Sequence, residues 1–206
     1  MAYSYWTIKG ASQGVYREKG SKFLAFAYPV ADEDEIRQRI DILKKEYFDA
    51  RHHCFAWVLG PEKDRHRAFD DGEPNHSAGA PILGQIKSRN LTNILVVVVR
   101  YFGGVKLGVG GLTAAYKEAA NGALNNSTRV EHEIVRSFVL EYAYAETNDV
   151  MKLINDCSAR IGRQQFLERC TTEVNIPLKS LALFEERIHY LLDVGKTSLK
   201  VREVFP

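Results

Sequence analysis

Apolar and polar positions follow different periods along this chain and predict both helices and strands. Apolar side chains recur at helical spacing within residues 32–47, which predicts an amphipathic helix. Residues 91–99 form the most hydrophobic run, and their β-branched valines predict a central strand that is covered on both faces. Residues 15–19 and 22–28 flank a Gly-Ser pair and predict a β-hairpin.

The pattern between these elements is more polar. Residues 53–59 predict another strand, and the polar residues 60–76 after it predict a loop. Ser77 is a predicted cap for a helix that reaches about residue 88. Another helix follows a glycine-dense segment and is expected to end at residues 125–127.

A polar stretch at residues 128–133 predicts a linker between two domains, at residues 1–130 and 131–206. The second domain reads as strand, helix, two strands, helix and strand, which is the βαββαβ order of a ferredoxin-like fold. Its predicted elements are 134–143, 147–159, 161–167, 169–176, 177–191 and 197–205. The fold class predicted for the whole chain is α+β.

Composition places the chain among ordinary globular proteins. It has 206 residues, of which 45% are hydrophobic, and a formal net charge of +2, which favours no particular class of partner. Its three cysteines form no CxxC pair and predict a reducing environment. We find no basic and apolar leader pattern and no apolar run long enough to span a membrane, so we expect a cytoplasmic protein.

The segment 100–116 combines five glycines with two cations. A buried-looking strand runs through this segment into a helix, whose N-terminal N–H groups and dipole attract anions. Arg100 and Lys106 would add positive charge. Alternatively, the glycines only permit a sharp, closely packed turn, because their spacing matches neither the Walker loop nor the dinucleotide fingerprint.

Two polar segments, 49–54 and 70–76, contain carboxylates, imidazoles and a thiol that could bind a metal or act as general acids and bases. Adjacent His52 and His53 point to opposite faces of an extended segment, so we predict no metal site. Cys54 lies in an apolar run and is predicted to be a core residue rather than a nucleophile. The acidic and glycine-dense loops are expected to share one cleft.

Three blocks in this order, residues 49–57, 70–81 and 99–112, closely resemble the signature of the YigZ/IMPACT family. The resemblance covers about residues 15–128. It implies an N-terminal domain similar to the second domain of a small-subunit ribosomal protein. The remainder resembles domain five of elongation factor G, a ferredoxin-like unit.

The resemblance also implies a function. Eukaryotic relatives restrain the amino-acid-starvation kinase by competing for its activator, so it implies a binding or regulatory protein of translation, with RNA, the ribosome or a translation-factor protein as partner. The alternative is an enzyme that acts on a phosphorylated small molecule. Neither hypothesis involves a cofactor or a membrane, and no oligomeric state is predicted. The candidate ligand-binding residues are Arg51, His52, His53, Asp70, Asp71, Glu73, Arg100, Tyr101, Gly103, Gly104, Lys106, Gly108, Gly110 and Gly111.

Overall fold

The computed structural model describes residues 2–193 and 197–204, and contacts divide the chain into two units. One unit contains residues 5–132. The other contains residues 2–4 and the described part of 133–204. Each combines antiparallel β-structure with α-helices, so the fold class is α+β.

The first unit contains most of the β-structure. Its strands are β1 (Ser4–Ile8), β2 (Ser12–Glu18), β3 (Ser21–Pro29), β4 (His52–Leu59), β5 (Arg65–Phe69), β6 (Ile94–Tyr101) and β7 (Arg129–Glu133). Its helices are α1 (Glu33–Glu46), α2 (Gly79–Ser88) and α3 (Gly108–Asn125). Five strands form a sheet in the order β2-β3-β6-β4-β5, while β1 pairs with β7.

Strand β6 lies at the centre of this sheet, and its alternate side chains enter two separate cores. Val96 and Val98 belong to the core that contains residues of α2 and α3. Val97 and Val99 belong to the core that contains residues of α1. The prediction of a central strand covered on both faces is therefore confirmed. Because side chains alternate along a strand, consecutive residues of β6 and of its neighbouring strands lie on opposite faces of the sheet.

The predicted amphipathic helix is also confirmed. Asp32 caps α1 by accepting the N–H of Glu35 at 2.8 Å. The helix buries Ile36, Ile40 and Leu43.

Two local predictions for this unit are wrong, one for a loop and one for a helix cap. The predicted loop 60–76 contains the edge strand β5, whose residues are all exposed. The linker predicted at 128–133 is a different case: it contains β7, and the boundary between the two units falls inside it, between residues 132 and 133. Ser77 does not cap α2; its hydroxyl donates to the carbonyl of Pro74 at 2.6 Å, and the cap comes from elsewhere in the chain.

The second unit has the predicted βαββαβ order. It consists of β8 (Val135–Tyr142), α4 (Thr147–Asp156), β9 (Arg160–Phe166), β10 (Cys170–Pro177), α5 (Leu181–Asp193) and β11 (Lys200–Val204). The strands form one antiparallel sheet in the order β11-β8-β10-β9. The core contains alternate residues of β8 and β10 with residues of both helices. Among the described residues, no helix is long and apolar enough to cross a membrane.

Candidate functional site

A cavity of about 420 Å³ lies in the first unit, where β4 begins, β6 ends and α3 begins. Its walls contain basic, acidic and apolar side chains from four separate segments. They are Arg51, His52, Glu73, Pro74, Arg100, Phe102, Lys106, Leu107, Gly108, Val109 and Leu112. The cavity therefore brings together residues from all three blocks that carry the family resemblance.

The sheet register decides which histidine reaches the cavity. His52 lies directly opposite Arg100 on β6, and both line the cavity. His53 lies opposite Val99 and is buried on the α1 side, where burial lowers its pKa. Tyr101 packs against the same α1-side core and donates to Asp49 at 2.7 Å, which raises the pKa of Tyr101 to about 12. Neither His53 nor Tyr101 is in the cavity lining.

Arg100 and Glu73 form an ion pair at the edge of the cavity. Arg100 Nη1 lies 2.6 Å from Glu73 Oε1, and their side chains are only 7% and 4% exposed. Tyr116 donates its hydroxyl to the same carboxylate oxygen at 2.8 Å. The charge of Arg100 is therefore already balanced by a buried carboxylate, and removing either partner would leave the other buried and unpaired.

The Arg100 guanidinium also contacts aromatic rings. It lies 5.5 Å from the centroid of Phe23 and 5.7 Å from that of Phe102. Its buried Nε atom has no hydrogen-bond partner within the described residues. The ion pair and the rings hold a planar cation in one orientation at the cavity wall.

Cys54 lies behind this ion pair and is fully buried. Its sulfur lies 3.0 Å from the carbonyl oxygen of Asp70 and 3.3 Å from the hydroxyl of Tyr116. Burial raises the pKa of both Cys54 and Tyr116. A thiol held in its protonated form inside a core is a poor nucleophile, and the prediction of a core cysteine is confirmed.

Asp70 provides the cap that α2 lacks locally. Its carboxylate accepts the N–H groups of His76, Ala78 and Gly79 at 2.8–3.0 Å. Burial opposes the charge of Asp70, but these bonds outweigh burial and hold its pKa below the usual value. Asp70 therefore orders the loop that carries Glu73.

Asp71 joins the same loop to the start of β4. Its carboxylate accepts the backbone N–H of His53 at 2.6 Å, and its carbonyl lies 2.8 Å from His52 Nδ1. Because a carbonyl can only accept, Nδ1 carries the proton of this contact, and in the neutral form of the ring Nε2 carries the lone pair. Neither Asp70 nor Asp71 is in the cavity lining, although both position residues that are.

The glycines of the segment between β6 and α3 have different surroundings. A Cβ on Gly103 would lie 1.9 Å from the backbone carbon of Gly20, so only glycine fits there. Gly104 and Gly108 have positive φ angles. The close-turn hypothesis therefore accounts for these three positions. A Cβ on Gly111 would lie 3.1 Å from Leu107 Cβ.

Gly110 differs from the others. It is exposed and has no positive φ, and a Cβ there would meet nothing within 4 Å. No side chain caps the N-terminus of α3, and its first turn contains no acidic residue. In contrast, α1 has Asp32 as its cap, and Asp70 accepts N–H groups at the start of α2. Of the three helices in this unit, α3 is the one that leaves its N-terminal amides uncapped.

Sequence reasoning missed the apolar part of the cavity wall, formed by Pro74, Phe102, Leu107, Val109 and Leu112. Phe102 and Val109 are 53% and 58% exposed. The available signal was the placement of large apolar residues on both sides of Lys106 in a segment that is otherwise glycine-rich.

Comparisons with known proteins agree with the resemblance. The model of the Impact N-terminal domain matches residues 19–124. IMPACT family member YvyE of Bacillus subtilis is 31% identical over 204 residues, which cover 99% of this chain and 94% of the relative. IMPACT family member YigZ of Escherichia coli is 32% identical over 199 residues, which cover 95% and 96% of the two chains.

A solved structure has a similar fold. A crystal structure described as that of a hypothetical protein matches with a TM-score of 0.73 and 28% identity, covering 100% of this chain and 99% of that one. The match therefore extends over both units. Since the domain model spans about half of the chain and the relatives align along nearly all of it, this chain belongs to the IMPACT family.

Proposed function

We propose that this protein is a non-enzymatic binding protein of translational regulation, and that it binds single-stranded RNA at the cationic side of the cavity, formed by Arg51, Lys106 and the start of α3. The link to translation rests on membership of the IMPACT family, whose eukaryotic members act in translational control. The choice of RNA, in the ribosome or bound to a translation factor, rests on the chemistry of this cationic side.

The observation that carries the proposal is the uncapped N-terminus of α3 beside Lys106 and Arg51. Free N–H groups and the positive end of the helix dipole favour a phosphate there. Among the described residues, neither Lys106 nor Arg51 forms an ion pair, whereas Arg100 is neutralised by Glu73. The cationic surface is therefore formed by Arg51, Lys106 and the helix amides rather than by Arg100.

The number of contacts favours a polyanion over a single phosphate. Each charge-assisted contact contributes about 1.5–3 kcal/mol, and association costs several kcal/mol. Two contacts, worth about 3–6 kcal/mol before that cost, therefore hold a lone phosphate no more tightly than the millimolar range. A strand that presents successive phosphates in register binds more tightly, so we expect RNA to be preferred over ATP and inorganic phosphate.

The test is a titration of purified protein with single-stranded RNA, ATP and inorganic phosphate at low and moderate salt. Lys106→Ala should weaken RNA binding and reduce the salt dependence of affinity by about 0.7 in the log–log slope, which is the value for one phosphate contact on a single strand. Lys117→Ala is the matched control, because Lys117 is exposed on the same helix and carries the same charge outside the cavity lining. RNA binding no tighter than phosphate binding would overturn the proposal.

The fold and location complete the proposal. We propose that the first unit shares the fold of the second domain of a small-subunit ribosomal protein. The βαββαβ order and the antiparallel strand order support a likeness of the second unit to domain five of elongation factor G. The free, buried cysteines support a cytoplasmic location.

A further inference from the structure

Beside its cationic side, the cavity has a largely apolar wall. Pro74, Leu107 and Leu112 contribute aliphatic surface, and the exposed side chains of Phe102 and Val109 stand beside it. At about 420 Å³, the cavity is within the size range of small-molecule sites, about 300–1,000 Å³. An apolar concave surface of this size next to cationic groups fits a ligand that has both an apolar ring and a negative charge.

The wall also offers a planar surface, the ring of Phe102. Phe102 is 53% exposed, and the Arg100 guanidinium lies 5.7 Å from the centroid of its ring. Because Glu73 balances the charge of Arg100 and the Arg100 side chain is only 7% exposed, the guanidinium supports the Phe102 ring rather than acting as a counterion for phosphate. Aromatic rings and guanidinium planes are the surfaces on which unpaired nucleobases stack.

One polar group adds hydrogen-bonding capacity to this apolar wall. His52 lines the cavity, and its Nδ1 donates to the carbonyl of Asp71. The Nδ1 edge faces Gly72, since a Cβ on Gly72 would lie 3.6 Å from both Nδ1 and Cε1. In its neutral form the ring presents Nε2, as an acceptor, on its other edge. Nucleobases carry N–H groups that an acceptor of this kind can bind.

We infer that the cavity is a subsite for one unpaired nucleobase of the bound strand, with the base against Phe102 and its phosphates at Lys106 and the start of α3. This inference rests on the proposed function and specifies it, because it separates base contacts from phosphate contacts. An acidic peptide with an aromatic side chain is the competing occupant. If such a peptide is the natural occupant, RNA bases should contribute nothing to the affinity of RNA for this site.

The experiment compares a fluorescent single-stranded RNA with inorganic polyphosphate of matched charge, using anisotropy and competition. Phe102→Ala should weaken RNA binding by about 5- to 150-fold, equivalent to about 1–3 kcal/mol for one lost stack, and leave polyphosphate binding unchanged. Phe102→Tyr keeps the ring and should bind RNA like the wild type. Phe48→Ala is the matched control, because Phe48 is 83% exposed and lies outside the cavity lining.

The outcomes separate this inference from the function on which it rests. If wild-type protein binds RNA but Phe102→Ala changes RNA and polyphosphate affinity equally, or changes neither, the base subsite is wrong and RNA binding stands. If wild-type protein binds RNA no better than polyphosphate, bases contribute nothing and the inference fails. If it binds neither, the proposed function fails too, and the inference with it.

Discussion

Replacing Gly110 by alanine tests whether the start of α3 contacts a ligand. Gly110 is the third residue of the helix, and its backbone conformation suits any amino acid. A Cβ there would meet no atom of the protein within 4 Å. The fold itself therefore provides no reason for glycine at this position, in contrast to Gly103.

The expected effect on stability is favourable. Glycine in a helix costs about 0.5–1 kcal/mol relative to alanine, and the gain at the third residue should lie toward the lower value. For a chain of this length, 1 kcal/mol corresponds to about 2–4 °C in Tm. Gly110→Ala should therefore raise Tm by about 1–3 °C, measured by circular dichroism.

The expected effect on RNA binding has the opposite sign. The Cα–Cβ bond of a helical residue tilts toward the helix N-terminus, so the new methyl group would enter the space in front of the uncapped amides. Displacing one charge-assisted phosphate contact costs about 1.5–3 kcal/mol, which lowers affinity about 10- to 150-fold. Anisotropy titration with a labelled single-stranded RNA measures this change.

Gly84→Ala in α2 is the matched control. Gly84 is also exposed, and a Cβ there would also meet nothing within 4 Å. It should stabilise the protein by a similar amount and leave RNA affinity unchanged. If Gly110→Ala binds RNA as tightly as wild type and Gly84→Ala, the start of α3 does not contact the ligand, and our interpretation of its uncapped amides is wrong.

Four further predictions concern the surroundings of the cavity. Glu73→Gln should lower the free energy of unfolding by about 3–5 kcal/mol, because Arg100 would remain buried without its carboxylate partner. Urea denaturation measures this free energy, and a loss below about 1 kcal/mol would contradict the prediction. The pKa of Asp70 is lowered in the folded protein, so the ionised Asp70 carboxylate stabilises the fold above about pH 4, and this stabilisation is lost as the pH falls further. The difference in free energy of unfolding between wild type and Asp70→Asn should therefore shrink below about pH 4. A stability difference that stays constant with pH would refute this prediction. Cys54 should resist iodoacetamide in the folded protein and react after unfolding, as followed by mass spectrometry; rapid labelling of folded protein would show that its burial is incomplete. A protein of residues 1–132 should fold alone, because it contains both cores of the first unit. NMR tests this, and amide signals without the chemical-shift dispersion of a folded protein would refute it.

The sequence alone determined the elements whose signals are local. The apolar period of α1, its acidic first turn and the valine-rich β6 each lie within one short segment, so neighbouring residues are enough to predict them. The βαββαβ order of the second unit followed from the same kind of signal. Strands β5 and β7 escaped prediction because their side chains are mostly exposed and show no apolar alternation.

Only the tertiary structure decided how the candidate residues are used. Asp70 caps α2 from nine residues before Gly79, and Glu73 neutralises Arg100 across 27 residues, so neither contact has a local pattern. Adjacent histidines were correctly expected on opposite faces, but the register of β4 with β6 decided that His52 is the one beside Arg100. The physical reason is that local sequence sets the period and the face of each element. The charge balance and shape of the cavity depend on side chains that folding brings together from distant positions.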